Sequence, residues 1–402
     1  MTDSIVIVGG GQAGAQSAIT LRQNGYEGSI LILGEEPFIP YERPPLSKQF
    51  LAGEVGIEQL YMRNADFYTD KTITIESGSH VSRIDRKKKT VEVVGGKLIP
   101  YSKLILATGG RVRKMNCPGA DLPGIHYLRG ISDVEQFRDK LDDRTRLVIV
   151  GGGYIGLEVA AVAVKRGCHV TVMEMMPLVL HRVVSPEMSK FYMDVHTAAG
   201  VNIHTSTAVK AFEGSNSVEC VKCQDKQFDA DLVIIGIGIE PNTELAIEAG
   251  LEVDNGIVVD ECARTADPDI FAAGDCTNHP NSILGQRLRL ESVPNALAQG
   301  KAAALAAIGK PAPYAEVPWF WSDQYDLKLQ MTGISRPGDQ VVIRGSMEER
   351  KFSACYLRNG IFVACQAVNA AKDFIQSKKL IAAHHQPDPI RLADASIPLK
   401  DQ

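Results

Sequence analysis

Two glycine-rich stretches constrain this chain more than any other feature. In the first, the apolar residues Ile5 to Val8 lead into Gly9-x-Gly11-x-x-Gly14, and a helix-forming segment follows. A strand, a tight glycine turn and a helix start in this order are typical of a dinucleotide-binding fingerprint. Gly9 permits the turn, Gly11 lets the backbone approach a pyrophosphate, and Gly14 lets the helix pack on the strand. A glycine turn that serves packing alone is the alternative interpretation.

The second stretch repeats this pattern 142 residues later. The strand RLVIV leads into Gly151, and Gly153-Tyr154-Ile155-Gly156 follows. Two strand–glycine–helix units at this distance indicate two nucleotide sites. The sequence therefore predicts an α/β fold with two Rossmann-like three-layer dinucleotide-binding domains.

An acidic residue follows the next strand of each unit. Glu35 ends one of these strands, with Glu36 as its competitor, and Glu174 ends the other. An acid about 20 residues past the glycines accepts hydrogen bonds from ribose hydroxyls. Because a carboxylate repels a 2′-phosphate, Glu174 favours NADH over NADPH. Arg182 is predicted to contact adenine or ribose, and a surface arginine is the alternative.

Other segments carry further ligand signals. In residues 41–48, YERPPLSK, two prolines fix the backbone between Arg43 and Lys48, which suits phosphate and flavin contacts. A solvated basic turn is the alternative. The buried strand KLILATGG, residues 103–110, can bring its backbone close to a ligand. Asp275, which follows a later strand, can accept a hydrogen bond from a ligand hydroxyl.

Three further stretches are predicted to form sheets. Residues 72–94 read as short alternating strands of a small antiparallel insert, and residues 201–235 as another small sheet that closes with a buried strand. The last 85 residues read as an antiparallel sheet with helices, in which Asn359-Gly360 is a two-residue hairpin turn.

Composition excludes several function classes. A net charge of -5 with 45% hydrophobic residues gives no electrostatic basis for binding nucleic acid. We find neither a signal peptide nor an apolar run long enough to span a membrane, so we expect a cytoplasmic protein. The eight cysteines are expected to be reduced. Cys220-x-x-Cys223 is expected to be a structural pair, because neither zinc spacing nor a helix start accompanies it, and no metal site is predicted.

Together these motifs resemble the NADH-dependent ferredoxin reductases of bacterial oxygenase systems, which are glutathione-reductase-like flavoproteins. The resemblance rests on GEEPFIPYERPPLSK, LRG around Arg129, GGGYIGLE, AAGDC and FWSDQ, and it spans essentially the whole chain. It implies FAD-binding segments 1–110 and 240–318, an NADH-binding segment 111–239 and a C-terminal α+β domain, 319–402.

The resemblance also implies the residues of each site. Non-covalent FAD would contact the first glycine fingerprint and residues from several other segments of the chain. These residues are Gly9, Gly11, Ala13, Gly14, Glu35, Arg43, Lys48, Val81, Ala107, Thr108, Gly109, Arg129, Asp275 and Val293. NADH would lie on the second fingerprint and its neighbours: Gly151, Gly153, Tyr154, Ile155, Gly156, Glu158, Glu174, Arg182 and Gly238.

The same resemblance implies a reaction. Lys48 near the flavin, paired with Glu158 and assisted by Trp321, would promote hydride transfer from NADH, with Trp319 as the alternative tryptophan. Disulfide reductases of the superfamily carry a cysteine pair where this chain has PPLSK, and Cys117 is its first cysteine. Electrons would therefore leave singly to a [2Fe-2S] ferredoxin.

The docking surface and the acceptor stay open in the sequence. Basic residues of the last domain are predicted to help dock the ferredoxin, and a solvated face is the alternative. Rubredoxin, monodehydroascorbate or a quinone are alternative acceptors, and an interaction flavoprotein like apoptosis-inducing factor is the alternative class. The oligomer is expected to be a monomer or a homodimer. The candidate docking residues are Arg336, Arg344, Lys372, Lys378 and Lys379.

Overall fold

The computed structural model describes residues 3–402. Met1 and Thr2, at the start of the predicted FAD-binding segment, lie outside the described residues. The chain divides into two compact units, which we call the first and the second unit. The first contains the residues up to Glu42, Glu58–Arg111 and Ile239–Pro318; the second contains Arg43–Ile57, Val112–Gly238 and Trp319–Gln402.

The elements up to the middle of the chain are β1 (Ser4–Val8), α1 (Gln12–Gln23), β2 (Ser29–Gly34), α2 (Gln49–Ala52), α3 (Ala65–Asp70), β3 (Ile73–Ser77), β4 (Val81–Asp85), β5 (Thr90–Val93), β6 (Lys97–Pro100), β7 (Lys103–Leu106), β8 (Gly110–Val112), β9 (Ile125–Tyr127), α4 (Ile131–Glu135), β10 (Arg146–Val150), α5 (Tyr154–Lys165), β11 (His169–Met173), α6 (Pro186–Ala198) and β12 (Asn202–His204). Short 3₁₀ helices cover Pro44–Ser47, Ile57–Leu60, Arg138–Lys140 and Leu399–Asp401.

The remaining elements are β13 (Ala211–Glu213), β14 (Cys220–Lys222), β15 (Gln227–Asp229), β16 (Leu232–Ile235), β17 (Ile239–Pro241), α7 (Glu244–Glu248), β18 (Ile257–Val258), β19 (Ile270–Ala272), β20 (Thr277–Asn281), β21 (Gln286–Leu288), α8 (Val293–Ala307), β22 (Trp319–Gln324), β23 (Leu327–Gly333), β24 (Gln340–Ser346), β25 (Lys351–Arg358), β26 (Ile361–Val368), α9 (Ala371–Ala382) and α10 (Pro389–Ala393).

The first unit is built on a parallel sheet of order β19-β7-β1-β2-β3. Successive side chains of a strand point to opposite faces, and both faces of this sheet are covered. Ile5 and Ile7 pack on one side with residues of α1 and α8, such as Leu21 and Ala303. Val6 and Val8 pack on the other side with strands β4 to β6. These faces give the three layers expected from the apolar strand.

The predicted antiparallel insert at residues 72–94 is wrong for its first strand. β3 pairs with β2 in parallel and forms the edge of the main sheet. Only β4, β5 and β6 form the antiparallel sheet. The alternation of apolar residues, which was the basis of the prediction, is the same for a strand with one exposed face whichever way its partner runs.

The second unit repeats the parallel sheet with the order β12-β11-β10-β16-β9. The small sheet expected at residues 201–235 is therefore split. β12 and β16 belong to the parallel sheet, whereas β13, β14 and β15 form an antiparallel sheet. Val148 and Val150 on one face of β10 pack with that smaller sheet, for example with Val221.

The end of the chain forms the predicted antiparallel sheet with helices. Its order is β22-β23-β26-β25-β24, and α9 follows it. Asn359 and Gly360 connect β25 to β26 with φ of 52° and 79°. Positive φ at both central residues is the geometry of a tight hairpin turn. The predicted fold class, two Rossmann-like domains and a C-terminal α+β domain, is confirmed.

Candidate functional site

The glycine turn of the first unit leaves space beside Gly11, just before helix α1. Gly9 has φ of +119°, and a Cβ there would lie 2.1 Å from the Ala107 carbonyl oxygen. A Cβ at Gly14 would lie 2.0 Å from the Gly9 carbonyl oxygen. A Cβ at Gly11 would meet no described atom within 4 Å. The protein's own packing therefore requires Gly9 and Gly14, whereas Gly11 faces open space at the start of the helix.

The glycine turn of the second unit has the same division of roles. Gly151 has φ of +109°, and its Cβ would lie 2.4 Å from the Gly236 carbonyl oxygen. A Cβ at Gly156 would lie 2.2 Å from the Gly151 carbonyl oxygen. At Gly153 a Cβ would again meet no described atom within 4 Å. The second turn therefore offers the same open face at the start of α5.

The two predicted ribose acids do not occupy equivalent positions. Val8 pairs with Leu33 and Val150 with Met173, so Gly34 of the first unit corresponds to Glu174 of the second. Glu35 therefore lies one residue beyond the equivalent position. The sequence spacing from the glycines could not show this offset.

The surroundings of the two carboxylates also differ. Glu174 accepts hydrogen bonds from the backbone amides of Gly152 and Met176, both at 2.8 Å. Each of its oxygens keeps a further lone pair for a ligand hydroxyl. The Glu35 side chain is 74% exposed, and its Oε1 lies 3.0 Å from His80 Nδ1. Val81, another predicted FAD contact, directly follows His80 at the start of β4.

A half-buried loop after β7 lies against the first glycine turn and is fixed by Asn242. The Thr108 hydroxyl donates to the Asn242 carbonyl oxygen at 2.6 Å, and the Asn242 amide side chain donates to the Thr108 carbonyl oxygen at 2.9 Å. The Asn242 backbone amide also donates to the Gly109 carbonyl oxygen at 2.9 Å. Sequence reasoning missed Asn242, although an asparagine after Pro241 at the end of a strand is a known signal for a turn.

The late Gly-Asp segment joins the same edge of the first sheet. Gly274 has φ of +89°, and a Cβ there would lie 3.1 Å from the Ala13 Cβ. Gln299 of α8 accepts a hydrogen bond from the Gly274 amide at 2.8 Å. Asp275 follows directly, and Val293 is the first residue of α8. The structure thus brings the predicted contacts of the first unit together at the carboxyl ends of β1, β7 and β19.

Lys48 and Glu158 form the predicted ion pair within the second unit. Lys48 Nζ lies 2.7 Å from Glu158 Oε2, and the two side chains are 13% and 4% exposed. The Ser47 hydroxyl donates to Glu158 Oε2 at 2.5 Å, and the Ser322 hydroxyl donates to Oε1 at 2.6 Å. Sequence reasoning missed both serines, which lie inside the quoted motifs PPLSK and FWSDQ.

The remaining cations of the predicted FAD site also belong to the second unit. Arg43 donates from its guanidinium to the Arg129 carbonyl oxygen at 2.6 Å. The amides of Arg129 and Gly130 donate to the Asp133 carboxylate, both at 2.8 Å. Helix α4 begins at Ile131, and Gly130 is its N-cap.

Strand β22 presents aromatic side chains. Trp319 and Trp321 lie on the same face of the strand, with ring centroids 5.7 Å apart. Trp319 also contacts Phe374 of α9 and lies under the Lys378 ammonium, whose Nζ is 4.4 Å from the ring centroid. The Trp319 ring thus packs against Phe374 and Lys378. Trp321 is therefore the better candidate for the tryptophan that assists hydride transfer.

The other predicted NADH contacts lie near the second glycine turn or at the surface. The Tyr154 ring contacts the Phe320 ring, with centroids 5.1 Å apart, and burial raises the pKa of Tyr154 well above its usual value. Ile155 and Arg182 are exposed. Gly238 follows β16 with φ of +101°, a conformation that favours glycine.

One of the predicted docking residues is not available for docking. Arg344 is 4% exposed and pairs with Asp373 at 3.1 Å. Its guanidinium also donates to carbonyl oxygens of the C-terminal segment, including that of Ile397 at 2.6 Å. The prediction for Arg344 is therefore wrong, because the folded C-terminal segment covers a side chain that the sequence shows only as basic.

The cysteines fit a structural role. All eight lie in the described part of the chain and are free thiols. Burial raises the pKa of the Cys223 thiol, whose sulfur lies 3.8 Å from the Met173 sulfur. Within residues 3–402, no group of three or more metal-ligating side chains is arranged to hold a metal ion. Over the same residues, every helix is too short or too polar to cross a bilayer.

Comparison with known proteins gives full-length matches. The sequence fits the family model of pyridine nucleotide-disulphide oxidoreductases over residues 3–300 and the reductase C-terminal model over residues 319–402. Putidaredoxin reductase of Pseudomonas putida is 43% identical over 99% of this chain and 96% of its own length. A ferredoxin–NAD(P)+ reductase of a Sphingomonas species is 42% identical over 100% of this chain and 98% of its own length.

A solved structure agrees with these matches. The crystal structure of the covalent putidaredoxin reductase–putidaredoxin complex contains a chain that superposes with a TM-score of 0.96 at 43% identity. The superposition covers 99% of this chain and 97% of that chain. The resemblance inferred from the sequence motifs is thereby confirmed.

Proposed function

Because this chain belongs to the pyridine nucleotide-disulphide oxidoreductase family, we propose that it carries electrons from NADH through FAD to a [2Fe-2S] ferredoxin that feeds an oxygenase. Membership of the family implies a flavin and a pyridine nucleotide. The observation that carries the proposal is the pair of glycine turns, each with an open face at a helix start. The full-length match to ferredoxin reductases supports the choice of acceptor.

The first glycine turn is assigned to FAD. Its open face at Gly11 fits a pyrophosphate, and only neutral side chains occupy the first turn of α1, so its amides and helix dipole favour an anion. The fixed loop at Thr108 and Gly109 and the Gly274 turn meet the same sheet edge. The corresponding segments are 1–110 and 240–318. When bound, FAD supplies two-electron uptake and one-electron release.

The second glycine turn, in segment 111–239, is assigned to NADH. Glu174 is held by two backbone amides beside the turn, with lone pairs left for the ribose hydroxyls. A fixed carboxylate at this position disfavours the 2′-phosphate of NADPH. The charge of Glu174 therefore supports NADH as the donor.

Lys48, Glu158 and Trp321 are the proposed catalytic residues. Glu158 lies on α5, the helix that starts at the NADH turn, and it fixes the Lys48 ammonium at 2.7 Å. A fixed cation favours a transition state in which negative charge develops, because the charge need not reorganise during the reaction. Trp321 is proposed to line the nicotinamide site.

The absence of cysteine before Cys117 supports an external acceptor. Disulfide reductases of the superfamily pass electrons to a cysteine pair in the segment that reads PPLSK here. The eight free thiols favour a reducing compartment, so the cytoplasm is the proposed location.

The decisive experiment measures NADH-driven cytochrome c reduction by the purified yellow protein, with and without [2Fe-2S] ferredoxins from the same genome. Strong stimulation by one ferredoxin is expected, and a rubredoxin added at equal concentration is the control. Stimulation by rubredoxin alone would show that the acceptor is a rubredoxin and not a [2Fe-2S] ferredoxin. Slow flavin reduction with a long-lived charge-transfer complex, unaffected by either carrier, would favour the interaction flavoprotein instead.

A further inference from the structure

A continuous chain of hydrogen bonds extends from Glu158 into the interior of the second unit. The Gln324 amide nitrogen lies 3.1 Å from the Ser322 hydroxyl, which donates to Glu158. Gln324 Oε1 lies 2.8 Å from His196 Nε2, and the Tyr325 hydroxyl lies 2.9 Å from His196 Nδ1. The chain joins α5, β22 and α6.

The members of this chain are deeply buried. Ser322 and His196 are fully buried, and Gln324 is 1% exposed. Ser322 and Gln324 are two residues apart on β22, so both point to the same face of the strand, opposite to Trp321. One strand therefore presents the proposed nicotinamide tryptophan on one face and holds Glu158 with the other.

The donors all point toward the carboxylate. Because Glu158 only accepts, the Ser322 hydroxyl must donate to it and accept from the Gln324 amide group. The Gln324 carbonyl oxygen is then an acceptor, which assigns the proton of His196 to Nε2. His196 Nδ1 accepts from the Tyr325 hydroxyl in turn. Burial lowers the pKa of His196, in agreement with a neutral ring.

The two carboxylate oxygens of Glu158 have different hydrogen-bond partners. Oε1 is held by Ser322 and the chain behind it, whereas Oε2 binds Lys48 and Ser47. A carboxylate held at one oxygen cannot turn about its terminal bond without breaking that hydrogen bond. The orientation of the Lys48 ammonium therefore depends on Ser322.

We propose that Ser322, Gln324 and His196 are positioning residues that act through Glu158 to fix Lys48 for the reduction of FAD by NADH. The inference rests on the proposed function, since it assigns these residues to the reaction that Lys48 is proposed to promote. They do not touch the reactants, so their effect must pass through the Lys48–Glu158 pair.

A double-mutant cycle tests this dependence on the FAD-loaded protein. Stopped-flow measurements give the limiting rate of flavin reduction and the Kd of NADH separately. Lys48→Ala is expected to lower the limiting rate about a hundredfold. Ser322→Ala is expected to lower it about fivefold to tenfold, with the Kd of NADH within about twofold, because positioning affects the chemical step. In the double variant, Ser322→Ala should cause no loss beyond that of Lys48→Ala alone.

Ser353→Ala is the matched control. Ser353 is also fully buried in the second unit, and its hydroxyl donates to the Asp373 carboxylate at 3.0 Å, away from Glu158. It should lower stability as Ser322→Ala does but leave the limiting rate unchanged. Gln324→Met, which keeps the side-chain volume, is the second probe if Ser322→Ala loses its FAD, and it should slow reduction about threefold.

The outcomes separate the inference from the proposed function. Suppose that Lys48→Ala reduces FAD slowly. The inference is then overturned, and the proposed function stands, if Ser322→Ala alone has the rate of the unmodified protein. The same holds if Ser322→Ala slows the double variant as much as it slows the unmodified protein. If Lys48→Ala reduces FAD as fast as the unmodified protein, the proposed catalytic role of Lys48 fails first. Equal slowing by Ser353→Ala would also overturn the inference.

Discussion

The two glycine turns have the same backbone but different surroundings. In each, the first and third glycines are required by close backbone approach, and the second faces open space. They differ at the end of the neighbouring strand, where the first unit has Gly34 and the second has Glu174 bound to the turn itself. The glycine turn is therefore common to the two units, and the residue at the end of the next strand distinguishes them.

The largest effects are expected at the third glycines. Gly14→Ala and Gly156→Ala would bring a Cβ to within 2.0 Å and 2.2 Å of a backbone oxygen, so each should destabilise its own unit by about 3 kcal/mol. Gly14→Ala should be purified with little flavin, and Gly156→Ala should keep FAD but react poorly with NADH. The flavin-to-protein absorbance ratio checks this. Loss of FAD in both variants would break the assignment of separate nucleotides.

The second glycines separate ligand binding from folding. Gly11 and Gly153 have φ of -84° and -82°, which any residue adopts, and their Cβ positions are open in the described structure. Gly11→Ala should weaken FAD binding, and Gly153→Ala should weaken NADH binding, each about a hundredfold. Titration of the apoprotein with FAD and stopped-flow Kd values for NADH measure the two effects. Unchanged thermal unfolding of the apoproteins is the control.

A buried histidine makes the stability of the first unit sensitive to acid. His279 of the first unit is 2% exposed, neither ring nitrogen has a partner among residues 3–402, and burial with the nearby Arg287 lowers its pKa to about 4. Because the unfolded chain binds this proton more readily, stability is full above about pH 6.5 and falls toward pH 4. Between pH 7 and 5 the loss should be about 2 kcal/mol.

His279→Leu should remove that part of the pH dependence. Urea unfolding of the two proteins at pH 7 and pH 5 measures the difference in slope. His196→Gln is the comparison variant for the second unit, since His196 has hydrogen-bond partners on both nitrogens. An identical pH slope in His279→Leu and the unmodified protein would contradict the prediction.

The smallest effects are expected at the two acids. Glu174→Ala should weaken NADH binding about tenfold and raise the relative affinity for NADPH, because a held carboxylate is lost beside the turn. Glu35→Ala should weaken FAD binding only about threefold, since water competes for the hydrogen bonds of the exposed Glu35 carboxylate. Binding titrations with both nucleotides compare them, and equal losses would make the offset in register unimportant.

Much of the fold could be predicted because its signals are local. A glycine that must take positive φ beside a buried strand is visible in the sequence, and so is the Asn359-Gly360 turn. The partner of strand β3 was not predictable, because apolar alternation carries no information on strand direction. The burial of Arg344 was missed for a related reason, since its cover comes from residues near position 395 that have no signal of their own.

The sequence by itself determined that this protein has two glycine turns of the dinucleotide-binding pattern, an acid near the end of the next strand in each unit, and no cysteine before Cys117. These properties depend on residues close together in the chain. Only the tertiary structure decided that Gly34, not Glu35, corresponds to Glu174, and that Glu158 is held by Ser47, Lys48 and Ser322. The reason is physical: strand register depends on how neighbouring strands pair, and the partners of a buried carboxylate come from distant segments, 111 residues away for Ser47 and 164 for Ser322, which no local pattern records.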